Sequence, residues 1–245
     1  MAIPAPFSTE HLDALRRGLS ALGLADDEAR AARMLDFAAL VLEKNKVMNL
    51  TAITEPMEFV TKHLLDSAAL LAAEPFAGKS VIDVGCGAGF PSMVLLCYDP
   101  ALDITMLDSL KKRLTFIEEA AAALGVPART IHRRAEEGAC TKELRERFDI
   151  VTCRAVAALP QLTELCLGYV RPGGLFLPMK SAACGEELDA AAPAIRRMGG
   201  ALEGMRDYTV PGTDIVHRVV RIRKTSSTPA KYPRRFAKIQ TEPIR

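Results

Sequence analysis

Ser80-Val-Ile-Asp-Val84 and then Gly85-Cys-Gly87-Ala-Gly89-Phe90: a short apolar run opens into a glycine-rich turn, and an apolar helical stretch follows. Strand, glycine turn, helix is the context in which a turn can hold a nucleotide-like ligand close to the backbone. Downstream the rhythm repeats. Asp103–Asp108 reads as a strand, Lys111–Leu124 as a patterned helix stopped by Gly125, and residues 129–134 as a third strand. Residues 149–153 form a fourth, 159–170 a helix closed by Pro172-Gly173-Gly174, and 175–179 a fifth strand. A helix ending near Gly199-Gly200 follows, then two strands, 201–210 and 216–223, joined through Pro211-Gly212. Seven strands alternating with helices predict an α/β fold. Its sheet is mostly parallel, covered on both faces through right-handed crossovers, with the closing hairpin adding an antiparallel strand at one end.

Upstream of the glycine turn the period is helical. Leu12 and Leu15, then Met34, Phe37, Ala38, Val41 and Leu42, recur at helix spacing over residues 8–47. Phe59, Val60, Leu64, Leu70 and Leu71 do so over residues 56–73, before Gly78 breaks the pattern. The chain therefore divides into an N-terminal helical extension packed on the core (1–77), a sheet domain (78–224) and a basic C-terminal tail (225–245). At 245 residues, 49% hydrophobic and 25% charged, it can bury a continuous core without a disulfide or metal staple. Cys86, Cys97, Cys140, Cys153, Cys166 and Cys184 form no CxxC pair, and the four histidines do not cluster with them. Scattered reduced thiols and no metal site are expected. No apolar stretch approaches the roughly 20 residues of a membrane span, and the N-terminus lacks the pattern of a secretory signal, so the expected location is the cytoplasm.

Charge is unevenly placed. The net is +2, but residues 218–245 hold nine Lys/Arg against one acid, Glu242, leaving 23 basic and 29 acidic residues elsewhere. An acidic body with a basic end points to a polyanionic partner, although a solvated tail would show the same count.

The turn itself narrows the ligand. Its spacing is GxGxG, and Phe90 stands where a dinucleotide fold needs its third glycine for close packing around a pyrophosphate. A nicotinamide cofactor is disfavoured. Asp83, at the end of the first strand, suits a cofactor with a cationic amino-acid end and no phosphate, which is S-adenosylmethionine. Asp108 ends the second strand, 23 positions after Gly85, where a carboxylate can accept both ribose hydroxyls. It could equally cap the helix that follows. Glu136 after the third strand, Arg154 at the end of the fourth and Lys180 at the end of the fifth fall at the same sheet edge, where ligands of open α/β sheets lie.

With these residues placed, the chain resembles the bacterial 16S ribosomal RNA guanine-N7 methyltransferases, also called glucose-inhibited division protein B, over residues 45–235. The resemblance rests on Asn49-Leu-Thr51, His63-Leu-Leu-Asp66-Ser67, Asp83-Val-Gly-Cys-Gly-Ala-Gly-Phe-Pro91, Leu107-Asp-Ser109 with Lys112-Arg113, Arg134-Ala-Glu136, Arg154-Ala155, Lys180 and Tyr232-Pro-Arg-Arg235. It implies a Rossmann-like class I methyltransferase fold, with S-adenosylmethionine as cofactor held by Asp83, Gly85, Gly87, Gly89, Phe90, Asp108, Ser109, Leu110, Ala135, Glu136 and Arg154. It also implies a guanine of 16S RNA in the small ribosomal subunit, or its assembly intermediate, as substrate, acted on by a monomer. Cys86 stands where many members carry threonine, and residues 236–245 depart from the family's Gly/Pro/Lys-rich ending.

Guanine N7 offers a lone pair, so no general base is demanded, and positioning carries the chemistry. Arg154 is the first candidate for holding the cofactor carboxylate or guanine O6, and Lys180 the second. His63 and Asp66, at i and i+3 on a helix, pair locally and become site candidates through the resemblance. The motif of exocyclic-amine methyltransferases is absent after the fourth strand, which reads Arg154-Ala-Val156, and no Pro-Cys nucleophile occurs. Arg221, Arg223, Lys224, Lys231, Arg234 and Arg235 are the expected phosphate contacts. On this reading, loss of residues 229–245 weakens RNA methylation and spares cofactor affinity. Three other readings stay open: a methyltransferase of small molecules or proteins, a nicotinamide-dependent oxidoreductase, and an RNA-binding module without catalysis.

Overall fold

The computed structural model describes residues 3–244. Helix α1 (Thr9–Ala21) is followed by α2 (Glu28–Met48), which Asp27 starts by accepting the Arg30 N–H. The segment expected as one helix over 56–73 is three: α3 (Pro56–Phe59), a π-helical turn (Val60–Leu65) and α4 (Asp66–Ala73). A π turn inserts a residue into the helical repeat, a local irregularity common at functional sites.

The sheet follows: β1 (Ser80–Val84), α5 (Ser92–Tyr98), β2 (Asp103–Asp108), α6 (Lys111–Leu124), β3 (Arg129–His132), α7 (Ala135–Gly138), β4 (Phe148–Arg154), α8 (Leu159–Cys166), β5 (Val170–Ser181), α9 (Gly185–Arg197), β6 (Gly200–Thr209) and β7 (Val216–Lys224). A last helix, α10, spans Phe236–Thr241. Strand order is β3-β2-β1-β4-β5-β7-β6. The pairs among β1 to β5 are parallel, and β7 lies antiparallel between β5 and β6. The antiparallel end expected from the sequence is present, with β6 rather than β7 on the outer edge.

The largest boundary difference lies between α8 and β5. The helix expected to reach Val170 ends at Cys166, because Val170 already pairs with Phe148 as the start of β5. The next paired residues are Ile150 and Leu175, so Arg171 to Gly174 bulge out. Gly174 is required there: a Cβ would sit 2.7 Å from the Asp149 carbonyl oxygen.

Alternate strand residues face opposite layers. Val81, Ile104, Ile150 and Leu177 pack with α1, α2, α5 and α6, whereas Ile82, Val151, Phe176 and Ile222 pack with α8 and α9. The N-terminal helices thus share one core with the sheet. So does the C-terminal segment, which is no free tail. Arg145 donates to the carbonyls of Thr228, Pro229 and Tyr232, and Tyr232, Ile239 and Ile244 are buried in the second layer. Among the described residues no helix is long and apolar enough to cross a membrane. Five of the six cysteines are buried, and Cys140 is exposed.

Candidate active site

The order of the sheet reverses between β1 and β4, the switch point at whose carboxyl end an α/β sheet opens a crevice. A cavity of about 440 Å³ lies there, within the size range of small-molecule sites. Val84 and Gly85 from β1, Leu107 to Ser109 from β2, and Ala135 and Glu136 from α7 form one side. Ala155 to Ala157, Gln161 and Leu165 form the other, and Phe236, Ile239 and Gln240 of α10 close it.

Two backbone features shape this cavity. Gly85 has φ +76°, and a Cβ on it would meet Val156 Cγ2 at 2.8 Å. Ala155 is in the left-handed region at φ 55°, uncommon for a residue with a side chain; it turns the chain after β4 so that Val156 faces Gly85. Asp108 fixes the glycine turn from beside it. Gly87 N–H donates to its Oδ2 at 3.0 Å and Leu110 N–H to its Oδ1 at 2.8 Å. Asp108 thus lines the cavity and braces the turn before α6, but the N-cap of that helix is Leu110, so the capping alternative does not hold. Each oxygen keeps acceptor capacity for a ligand hydroxyl. Glu136 is held at 2.6 Å by Arg134 Nε, and the Arg134 guanidinium lies 4.4 Å from the Phe236 ring, tying β3's end to α10.

A second cluster lies behind the turn. Arg154, at the end of β4, donates to Asp66 Oδ2 at 2.8 Å, to the Lys62 carbonyl at 3.1 Å and to His63 Nδ1 at 2.9 Å. Its guanidinium stands 5.1 Å from the Phe90 ring, on which His63 is stacked at 4.4 Å. Since arginine only donates, Nδ1 of His63 is the acceptor and Nε2–H donates to Thr51 Oγ1 at 2.7 Å. Burial and the neighbouring Arg154 charge push the imidazole down to about 3, so it is neutral. Asp66 takes two further bonds, from Tyr208 Oη and His217 Nδ1, each 2.7 Å. Burial pushes its carboxyl up, but His217, Arg154 and Tyr208 together hold it below its ordinary value. Lys180 Nζ pairs with Glu187 at 2.7 Å.

Of the residues expected to bind the cofactor, Gly85, Asp108, Ser109, Ala135 and Glu136 line the cavity. Asp83, Gly87, Gly89, Phe90, Leu110 and Arg154 are not in its wall. Asp83 is wholly buried beneath the turn, accepting from Ser92 Oγ at 2.8 Å. Leu110 stands exposed outside the wall, and Phe90 and Arg154 face the N-terminal helices.

Most of the expected phosphate contacts are taken inside the molecule. Lys224 is fully buried, its ammonium donating to the Leu167 and Met198 carbonyls and to Thr228 Oγ1. It cannot reach RNA, because β7 turns it inward beneath the C-terminal segment. Arg221 pairs with Glu74 and Glu203, Arg223 with Glu203, and Arg234 with the buried Glu164. Lys231 and Arg235 are exposed. The sequence reading missed Val156, Gln161, Phe236, Ile239 and Gln240 in the wall, and Thr51, Tyr208 and His217 in the cluster. Only strand register and chain path bring them there; of these residues Thr51 alone falls in a segment that carried the resemblance, Asn49-Leu-Thr51.

Solved structures with this fold include a methyltransferase from Pyrococcus furiosus, with TM-score 0.56 and 14% identity over 80% of this chain and 98% of that one. A branched-chain polyamine synthase from Thermus thermophilus aligns with TM-score 0.59 and 12% identity over 86% and 70%. At such identities they show the fold alone. Sequence relatives are closer. The ribosomal RNA small subunit methyltransferase G of Clostridium perfringens is 39% identical over 96% of this chain and 100% of its own. That of Symbiobacterium thermophilum is 44% identical over 93% and 96%. The family model for rRNA small subunit methyltransferase G matches residues 30–208, and the chain belongs to that family, the S-adenosylmethionine-dependent methyltransferases of small-subunit ribosomal RNA.

Proposed function

We propose that the chain methylates N7 of a guanine in 16S ribosomal RNA, as a monomer in the cytoplasm. The observation that carries this is the cavity at the β1/β4 switch point, bounded by a glycine on which a Cβ would collide and by a carboxylate anchored to the turn. The residues present fit S-adenosylmethionine. Asp108 offers acceptors for a sugar diol, Val156 and Leu107 an apolar slot, and Asp83 Oδ1 is a buried oxygen without a partner among the described residues, suited to a cationic ligand end. Gly85, Asp108, Ser109, Ala135, Glu136 and Val156 would hold it. One chain supplies every wall of the cavity, which supports a monomer.

When bound, S-adenosylmethionine supplies a methyl group on a sulfonium, open to attack by a lone pair. The protein's part is alignment. His63 is neutral with its Nδ1 lone pair filled by Arg154, so it does not act as a base, and N7 needs none. Arg154 and Lys180 stand at the ends of β4 and β5 with their charges matched by Asp66 and Glu187. The acceptor side thus offers fixed hydrogen-bond donors without net positive charge, which suits a ring that becomes cationic as it is methylated. Arg154, with His63 and Asp66 behind it, positions the acceptor edge.

Purified small subunits from a strain lacking this activity, incubated with the protein and methyl-labelled S-adenosylmethionine, should yield label in 7-methylguanosine alone. Asp108→Ala should lower kcat/KM by at least about tenfold, the scale of one lost charge-assisted hydrogen bond. Label in any other nucleoside would overturn the N7 assignment.

A further inference from the structure

The cations selected by counting charge in the C-terminal sequence are mostly paired or buried, which leaves open what the protein offers to a polyanion. The rim of the cavity supplies an answer. Lys112, in the first turn of α6, adjoins Arg113, which lines the opening. Arg133, just after β3, lines it directly. Arg235 is the residue from which α10 starts, and α10 forms a wall. Of the three cations, Arg133 is in the lining itself, while Lys112 and Arg235 are each next in the chain to a lining residue, Arg113 and Phe236. All three are exposed, and among the described residues none has a side-chain hydrogen bond or ion-pair partner. The carboxylates in the wall are shielded: Asp108 faces Arg113 at 3.7 Å, and Glu136 is held by Arg134.

The cofactor does not account for these cations. S-adenosylmethionine carries a sulfonium, an ammonium and one carboxylate, so its net charge is positive and a basic rim repels it slightly. Two of the exposed large apolar side chains belong to the same segments: Leu110, from which α6 starts, and Val156 in the cavity lining, 43% and 38% accessible. Cations next to exposed apolar surface at the mouth of a donor pocket match a single-stranded nucleic acid: phosphates for the charges, a base face for the hydrophobes.

We propose that Lys112, Arg133 and Arg235 bind the phosphates flanking the target guanine, with Leu110 and Val156 against the bases, so that RNA crosses the β2–β3–α10 side of the cavity mouth. The proposal rests on ribosomal RNA being the substrate and names the surface that receives it. The test is the salt dependence of binding to purified small subunits lacking the methyl group, from about 50 to 200 mM KCl. Each lost phosphate contact should lower the slope of log K against log salt by about 0.7–0.9. Lys112→Ala/Arg133→Ala/Arg235→Ala should therefore lower it by about 2, with an unchanged melting temperature and an affinity for S-adenosylhomocysteine within about twofold of wild type. Arg223→Ala, whose partner is Glu203, should leave the slope alone. An unchanged slope in the triple variant overturns the surface, and so does an equal fall in Arg223→Ala. Absence of methyl transfer by the wild type would instead count against the substrate reading, which the same preparations report separately.

Discussion

Burial pushes the Asp83 carboxyl up to about 7, and the hydrogen bonds from Ser92 and the Arg154 charge only partly oppose it. In the unfolded chain the same group titrates near 3.8. A raised folded value means the folded state holds the proton longer, so this group's contribution to stability is complete below about pH 4 and is lost as pH rises through 7. A cationic ligand end near the turn reverses the preference by favouring the carboxylate. Affinity for S-adenosylhomocysteine should therefore rise between pH 6 and 7, approaching about tenfold per unit if ionisation is complete on binding. Titration calorimetry across that range checks it, and Asp83→Asn should flatten the profile. The glycine turn and Asp108 were readable because their chemistry is local: a positive φ and a strand-end carboxylate follow from neighbours in sequence. Lys224 was not, since one residue's shift along β7 decides whether a side chain meets water or the carbonyls of Leu167 and Met198.

At the scale of elements, two segments remote in sequence complete the site. The π turn lets His63 stack on Phe90 while Asp66 takes Arg154 on one oxygen and the β6–β7 hairpin on the other. Helix α10 supplies Phe236, Ile239 and Gln240 to the cavity. The seven strands and the first two helices were legible from period and punctuation. The early end of α8 was not, because Val170 is apolar in either reading and only its pairing with Phe148 decides. Nor was α10's place, since a basic stretch reads as tail until Tyr232 and Ile239 are seen to be buried. The expected effect of truncation changes accordingly. Removing residues 229–245 takes away one wall, so cofactor affinity should fall together with RNA methylation, by about tenfold or more. Calorimetry with S-adenosylhomocysteine on the truncated protein decides, and full affinity would show that α10 only covers the cavity.

For the molecule as a whole, the stability of the second layer depends on the segment after β7. Lys224 Nζ is pushed down to about 8 by burial, and Glu146, 3.4 Å away, partly offsets this. Its three short contacts join β7 to α8, to the end of α9 and to Thr228. Lys224→Met should orphan two carbonyls and destabilise by about 2 kcal/mol, read as a lower urea midpoint, while leaving the salt slope of RNA binding unchanged. A single fold with helical cover on both faces was legible from the alternation of elements. That its C-terminal segment also belongs to a core, rather than to a tail, is a long-range fact that composition does not carry.

The outer edge of the sheet has a consequence for how the protein behaves in company. Among the described residues no strand pairs with the outer side of β6, and Leu202 and Met205 are exposed along it. Such an edge invites strands from other molecules to add on. Glu203 interrupts the pairing between Leu202 and Gly204, kinking the edge, and Glu203, Arg206 and Asp207 set charges between the apolar side chains. A docking strand would have to follow the kink and strip water from those charges, both of which oppose strand addition at an open sheet edge.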